Sequence, residues 1–229
     1  MSVYQAIIIT FLLLLTSRVT SVSYGAYNPY PESAGGARFE KEIGIEYATN
    51  TLSAATEFIW QIFNQTENPH ERKPGITRVT LHVVPWKGEV STKKNQIYLS
   101  SIYIYNYKGD VKREFTRVIY HEMTHIWQWT GNDQAPKALI EGIADYVKIK
   151  AGYAEEKYGL KPGDGKRWDQ GFEITAYFLD YCASLRPGFV AHLNARLKEG
   201  YDVSYFEELL GKPVERLWDD YKNKYGKRN

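Results

Sequence analysis

The sequence has a single cysteine, Cys182, among its 229 residues. One thiol cannot form an intrachain disulfide, so the small disulfide-stabilised folds of many secreted proteins are excluded. The fold must instead be held by a hydrophobic core, with a contribution from any metal that binds. Cys182 lies in an apolar stretch that supplies no base to activate a thiol, and this context predicts a buried, inert side chain.

The chain also lacks a large excess of charge of either sign. It has 29 basic and 27 acidic residues, which give a formal net charge of +2. Neither a nucleic acid nor an anionic membrane surface is an expected partner, because both are recognised through clustered positive charge. With 43% apolar and 15% aromatic residues, the sequence is typical of one compact globular domain.

The N-terminal hydrophobic run is short. Ala6–Leu15 spans ten residues, too few to cross a bilayer as a helix. Small and polar residues follow as far as Ser23, which predicts a signal peptide over residues 1–23 and a single secreted domain over residues 24–229. A retained anchor is the alternative, since no Lys or Arg precedes the run. In a secretory route the sequon N-Q-T makes Asn64 an acceptor for glycosylation.

The predicted elements follow the order helix, strands, helices, which is typical of an α+β domain with a small sheet. The spacing of apolar residues predicts a helix over residues 39–63 and strands over residues 76–84 and 95–104. A loop is predicted over residues 156–170. Further helices are predicted over residues 113–129, 136–150, 171–185, 189–197, 204–210 and 213–225.

The most informative segment is H-E-M-T-H, from His121 to His125. Residues four apart on a helix lie on one face, so both imidazoles can bind one metal ion while Glu122 lies beside it. The pentapeptide arises by chance in roughly 1% of chains of this composition, but it falls within an uninterrupted helical pattern with Asp110 as the predicted N-cap. This combination indicates a zinc peptidase. The alternative is a buried amphipathic helix whose histidines form hydrogen bonds in the core.

A catalytic zinc site needs a third protein ligand and one open position for water. A third histidine of the metzincin type is excluded, because Gln128 and Gly131 occupy the required positions. The next helix carries Glu141 and Asp145 on one face, and we predict Glu141 as the ligand and Asp145 as the acceptor of a histidine N–H. Gly142 would let two helices approach closely there. The reversed assignment and a carboxylate pair without metal are the alternatives.

Three segments resemble the plant basic secretory protein family, which is grouped with pathogenesis-related proteins and with the peptidases of plants and bacteria. They are H-E-M-T-H-I-W-Q from His121, L-I-E-G-I-A-D-Y-V from Leu139 and R-W-D-Q-G from Arg167. The similarity extends over about residues 37–226. It implies a zincin-like fold of the gluzincin type, in which a small mixed sheet packs against the active-site helix and further C-terminal helices follow.

The resemblance also implies a role for each residue of the site. His121, His125 and Glu141 would bind Zn²⁺, and Glu122 would be the catalytic base. Zinc lowers the pKa of a bound water to about 7, and Glu122 would pass the proton of this water to the departing amine. The predicted function is a secreted, monomeric, zinc-dependent endopeptidase acting on peptide or protein substrates, with a defence role implied by the family. A zinc-containing binding protein with weak catalysis and an aminopeptidase are the alternatives.

Several residues are candidates for contacts with the substrate. Phe172 and Tyr177 depart from the family pattern, which has Tyr and Arg at these positions. For the donor that stabilises the oxyanion, Trp168, Tyr158, Arg167 and Tyr177 are all open candidates. Peptide substrates commonly pair with the edge of a sheet, and the strand predicted just before the active-site helix is the candidate edge.

Overall fold

The structure is a computed structural model that describes residues 21–154 and 159–226. Most of the predicted signal peptide, residues 1–20, lies outside these ranges, and so does Tyr158. Within the described ranges, no helix combines the length and the apolar character needed to cross a bilayer. Ser23, the predicted boundary, is the first residue of the first strand.

The described residues form four strands, nine α-helices and one short 3-10 turn at residues 69–71. The predicted α+β class, with a small mixed sheet followed by helices, is confirmed. In chain order the elements are β1 Ser23–Tyr27, α1 Ala34–Glu42, α2 Ile45–Ile62, β2 Arg78–Val84, β3 Val90–Lys93, β4 Gln96–Ser100, α3 Ser101–Asn106, α4 Val111–Trp127, α5 Lys137–Lys150, α6 Phe172–Leu185, α7 Phe189–Arg196, α8 Tyr205–Leu210 and α9 Val214–Tyr225.

The helix predicted over residues 39–63 is two helices, α1 and α2. Gly44 separates them with a φ of 77°, a left-handed conformation that glycine adopts at little steric cost. The side chain of Ser33 accepts a hydrogen bond from Gly36 N and starts α1. The apolar periodicity continues through both helices, which is why the sequence pattern does not reveal the break.

The sheet has the strand order β1-β2-β4-β3. Strands β1, β2 and β4 are parallel, and β3 pairs with β4 in the antiparallel direction. The inward-facing residues of β2 are fully buried at Val79, Leu81 and Val83. Neither β1 nor β3 was predicted, because strands of five residues or fewer give too short a pattern to recognise. They form the two edges of the sheet.

The prediction of a strand over residues 95–104 is wrong in its second half, where the structure has a helix. The role predicted for this strand, as the sheet edge that pairs with a substrate, is wrong as well. The side chain of Ser100 accepts a hydrogen bond from Tyr103 N and caps a new helix, α3. The remaining strand, β4, has neighbours on both sides. It therefore has no free edge with which a substrate could pair, and β3 is the edge strand next to α4.

The helices that follow pack around a cluster of aromatic side chains. Phe178 of α6 is fully buried, and its ring contacts the rings of Trp168, Tyr181, Phe206, Trp218 and Tyr221. Two residues of α9 also hold the loop that precedes α6. Tyr221 Oη accepts a hydrogen bond from Gly163 N at 2.7 Å, and Lys222 Nζ donates to Gly165 O at 2.8 Å.

Candidate metal centre

Helix α4 carries both histidines and is fixed at its N-terminal end and along its buried face. Asp110 is the N-cap, as predicted, and its Oδ1 accepts from Arg113 N at 2.9 Å. The apolar residues Phe115, Ile119 and Met123 are fully buried. This anchoring directs the opposite face of α4, with His121 and His125, toward an open cleft.

Three candidate ligand atoms converge between α4 and α5. The Nε2 atoms of His121 and His125 are 3.0 Å apart. Oε2 of Glu141 lies 3.1 Å from the first and 3.4 Å from the second. Among the described residues, these three side chains form the one cluster of histidine, cysteine and acidic groups with metal-binding spacing.

The spacing fits a tetrahedral zinc ion. With zinc–ligand bonds of about 2.0–2.2 Å, two ligand atoms at tetrahedral positions are about 3.3–3.5 Å apart. The observed separations of 3.0–3.4 Å need only small side-chain adjustments to match. Two imidazoles and one carboxylate are also the donor types that catalytic zinc uses, with a fourth position left for water.

His121 is oriented by a buried carboxylate. Its Nδ1 lies 2.7 Å from Oδ1 of Asp145, which leaves Nε2 directed toward the other ligand atoms. Burial alone would lower the pKa of His121, but its hydrogen bonds to Asp145 and Glu141 outweigh this effect and raise the pKa to about 9. For Asp145 burial acts in the opposite direction and would raise the pKa. The interactions with His121 and with Lys148 outweigh burial and lower the pKa of Asp145.

The charge of Asp145 is further balanced by a buried lysine. Lys148 Nζ lies 3.0 Å from Oδ1 of Asp145 and 3.6 Å from Oε1 of Glu173 on α6. All three side chains are at most 4% exposed. This network connects the histidine helix α4 with α5 and with the first turn of α6.

Sequence reasoning missed the group that orients the second histidine. Gln128, three residues after His125, is fully buried, and its Nε2 lies 2.7 Å from His125 Nδ1. A metal-bound Nε2 requires a proton on Nδ1, which needs an acceptor. Rotating the amide by 180° supplies one from Gln128 Oε1, an atom without a hydrogen-bond partner in its present position. The same rotation breaks the hydrogen bond that Gln128 Nε2 donates to Ile140 O at 3.2 Å. The three-residue helical spacing was the signal for this contact.

Glu122, the predicted base, is 7% exposed. Thr92 of the edge strand β3 donates a hydrogen bond from Oγ1 to Glu122 Oε2 at 2.6 Å. Nothing in the sequence pattern predicted this contact, because the two residues lie on separate elements and β3 itself was not predicted.

Gly142 permits a close helix approach, and the partner helix is α6. A Cβ atom at this position would lie 2.3 Å from Thr175 Cγ2 and 2.6 Å from Thr175 Cβ. The glycine therefore allows α5 to pack against α6, rather than against α4. The contact fixes α5, the helix that carries Glu141, against α6.

The ligand atoms face a cleft of about 1150 Å³ that is bordered by β3, α4, α5 and the start of α6. Phe172, the first residue of α6, lines this cleft with 57% of its surface exposed. Its ring lies nearly parallel to the imidazole of His121, with 6.5 Å between centroids. Its φ of 46° is left-handed, which is uncommon for a residue other than glycine, asparagine or aspartate.

The three described candidates for the oxyanion donor do not line the cleft. Trp168 packs into the aromatic cluster, with its ring 5.2 Å from that of Phe206. Arg167 is 72% exposed and pairs with Asp169. Tyr177 is half-buried on α6 and is likewise absent from the cleft wall.

Two further predicted residues lie away from the cleft. Asn64 is exposed just after α2, in a position that an attached glycan could occupy, and its glycosylation remains a prediction. Cys182 is fully buried in α6. Burial raises the pKa of its thiol, in agreement with the predicted inert side chain.

Comparison with known proteins gives a family match over most of the chain. The sequence pattern of the family described as "Peptidase of plants and bacteria" matches residues 19–221. A relative named "Basic secretory protease", from Boswellia serrata, is 44% identical over 59 residues, which are 26% of this chain and 67% of that protein.

Two solved structures show a weaker likeness. They are an M1 zinc metallopeptidase from Deinococcus radiodurans and a mutant of that enzyme, with 15% and 14% identity and a TM-score of 0.46 for each. The matched region covers 73% of this chain and 43% of either enzyme. The chain thus corresponds to less than half the length of these enzymes.

Proposed function

Since the chain belongs to the family of peptidases of plants and bacteria, we propose that it is a secreted zinc-dependent endopeptidase, active in the extracellular space or cell wall. The observation that supports this most directly is the convergence of His121, His125 and Glu141 at separations of 3.0–3.4 Å. The buried partners of both histidines add support, because such contacts fix the imidazoles of metal sites. A role in plant defence is part of the same proposal.

The chemistry divides between the metal and the chain. When bound, zinc would polarise the substrate carbonyl and acidify a water molecule. Glu122 would take a proton from this water and deliver it to the departing amine nitrogen. Its low exposure favours this role, since a base screened from bulk solvent keeps the proton for the leaving group.

The substrate would bind as an added strand on β3. This strand borders the cleft and pairs with β4 on one side, so backbone groups on its other side are available to a peptide. Main-chain pairing of this kind requires no free terminus, which favours an endopeptidase over an aminopeptidase.

A zinc-containing binding protein with weak or lost catalysis is the second candidate. The observation that favours it is the position of Trp168, Arg167 and Tyr177 outside the cleft wall. Without a donor beside zinc, the developing oxyanion would lack part of its stabilisation, a loss of about 10²–10³-fold in kcat for one donor.

The decisive experiment replaces the base. Glu122→Gln should keep the fold and about one zinc per chain, while cleavage of a peptide library falls by at least about 10²-fold, because Gln cannot accept the proton. Glu57→Gln, the same change at an exposed position on α2, is the matched control and should cleave like the wild type.

Each other outcome has a defined meaning. Equal cleavage by the Glu122→Gln and wild-type proteins would eliminate Glu122 as the base. A wild-type protein that binds zinc but cleaves no peptide of the library would support the binding protein. A folded wild-type protein that takes up no zinc would contradict both candidates.

A further inference from the structure

The edge strand β3 reaches α4 through an inward-facing side chain. Burial alternates along β3: Val90 and Thr92 are half-buried, and Ser91 and Lys93 are exposed. Thr92 is paired with Ile97 of β4, which is fully buried. The side chain of Thr92 therefore lies on the sheet face that packs against the helices, while its backbone lies at the edge of the sheet.

The contact between Thr92 and Glu122 is short and charge-assisted. Thr92 Oγ1 lies 2.6 Å from Glu122 Oε2 and 3.4 Å from the backbone oxygen of Glu122. The hydroxyl has one proton, so the shorter contact with the carboxylate is the main hydrogen bond. A threonine side chain has one rotatable bond with strongly preferred rotamers. The backbone of β3 thus determines where the hydroxyl points.

We propose that Thr92 is a positioning residue, whose hydroxyl holds the Glu122 carboxylate in one orientation and ties it to the strand that binds the substrate. This inference rests on the proposed role of Glu122 as the base. A glutamate side chain has several rotatable bonds, and each rotamer other than the productive one removes the carboxylate from the water. Thr92 restricts that freedom.

The position of Thr92 also couples substrate binding to catalysis. A peptide that pairs with β3 would fix the backbone of this strand on both sides. The Thr92 hydroxyl, and with it the Glu122 carboxylate, would then be held more firmly when substrate is bound than when it is absent. Loss of the hydroxyl should therefore lower kcat and leave KM nearly unchanged.

The test compares two substitutions of Thr92 in the zinc-loaded protein. Thr92→Val keeps the shape and removes the hydroxyl, so kcat should fall about 10- to 100-fold, with KM and zinc content unchanged. Thr92→Ser keeps the hydroxyl and should recover most of kcat. Thr80→Val makes the same change on β2, where Thr80 contacts His82, and should have wild-type kcat.

A second measurement does not depend on activity. Thermal unfolding of the zinc-loaded wild type, Thr92→Val, Glu122→Ala and the double variant forms a mutant cycle; alanine is used because a glutamine would still accept from Thr92. If the side chains interact, the loss in Tm of the double variant is smaller than the sum of the two single losses. Additive losses would overturn the inference.

The kinetic outcomes separate this inference from the proposed function. Wild-type kcat in Thr92→Val, or a fall in zinc content that accounts for the lost activity, would overturn the role of Thr92 while the peptidase proposal stands. An inactive wild-type protein would refute the peptidase proposal and, with it, the positioning of a base.

Discussion

Gly142 shows how one residue without a side chain can determine the packing of the site. It lies next to Glu141, and α6 approaches so closely that Thr175 occupies the space a Cβ would need. The Thr175 hydroxyl is in use as well, since it accepts from Gly171 N and donates to Trp168 O. The threonine can therefore not move away without breaking contacts that hold the turn before α6.

We expect Gly142→Ala to destabilise the protein by about 1–3 kcal/mol through this overlap, although alanine favours a helix interior over glycine by about 1 kcal/mol. Denaturant unfolding measures the change. Thr175→Ser removes the methyl carbon nearest to the new Cβ and keeps the hydroxyl, so the double variant should recover part of the loss. Wild-type stability of Gly142→Ala would contradict a close contact between α5 and α6 at this position.

The individual residues of the site were predictable to different degrees. A helical spacing of four relates the predicted ligands His121 and His125, and it also relates the predicted ligand Glu141 to Asp145. Helical spacing cannot relate Thr92 to Glu122, because their contact joins a strand to a helix across the fold. The roles of all these side chains stay predictions until the metal and the activity are measured.

Helices α3 and α4 are joined by a buried carboxylate. Glu114 of α4 is 5% exposed; it accepts hydrogen bonds from Tyr103 of α3 and from Arg117 one turn later. Burial would raise the pKa of Glu114, but these hydrogen bonds outweigh it and lower the pKa below the ordinary value of 4.5. A lowered pKa in the folded state means that the ionised form stabilises the fold.

This stabilisation is complete above the unfolded-state pKa of 4.5 and is lost as the pH falls through the lower pKa of the folded state. Glu114→Gln should therefore cost about 1–3 kcal/mol near neutral pH, and the difference from the wild type should narrow below about pH 4.5. Urea unfolding at several pH values measures this. For Glu207→Gln, at an exposed position on α8, the difference in unfolding free energy from the wild type should not depend on pH. If the difference for Glu114→Gln is also independent of pH, the stabilising role of ionised Glu114 is contradicted.

The long helices were predictable from sequence, but the short elements were not. Apolar residues at helical spacing fix α4, α5 and α9 to within a few residues. The strands β1 and β3 each span five residues or fewer, which is too short for a clear alternating pattern. The partner of β1 also lies about 50 residues further along the chain, whereas β3 pairs with β4 across a two-residue turn. The turn from β4 into α3 depends on the cap at Ser100, a local signal that the alternating strand pattern concealed.

For the molecule as a whole, a bound metal would act as a cross-link between two helices. Cys182 offers no disulfide partner, and zinc would join α4 to α5 through His121, His125 and Glu141. A ligand at 100 times its Kd stabilises the folded state by about 2.7 kcal/mol, which corresponds to a Tm shift of about 5–10 °C in a domain of this size.

Removing zinc with a chelator should therefore lower the Tm by about 5–10 °C, and adding zinc should restore it. Magnesium should not, because it prefers oxygen ligands. Glu141→Gln weakens the site and should show a smaller response to the chelator. Calorimetry with metal analysis provides the measurement, and a Tm that is independent of both chelator and zinc would contradict a metal site.

The contacts of α9 with the loop before α6 have a consequence for the order of events during synthesis. Tyr221 and Lys222 hold the loop that leads to Phe172 and to one wall of the cleft. His121, His125 and Glu141 leave the ribosome well before α9 does. A nascent chain can thus present all three of these side chains while this wall still lacks its support, so the cleft is complete only when the last described helix has formed.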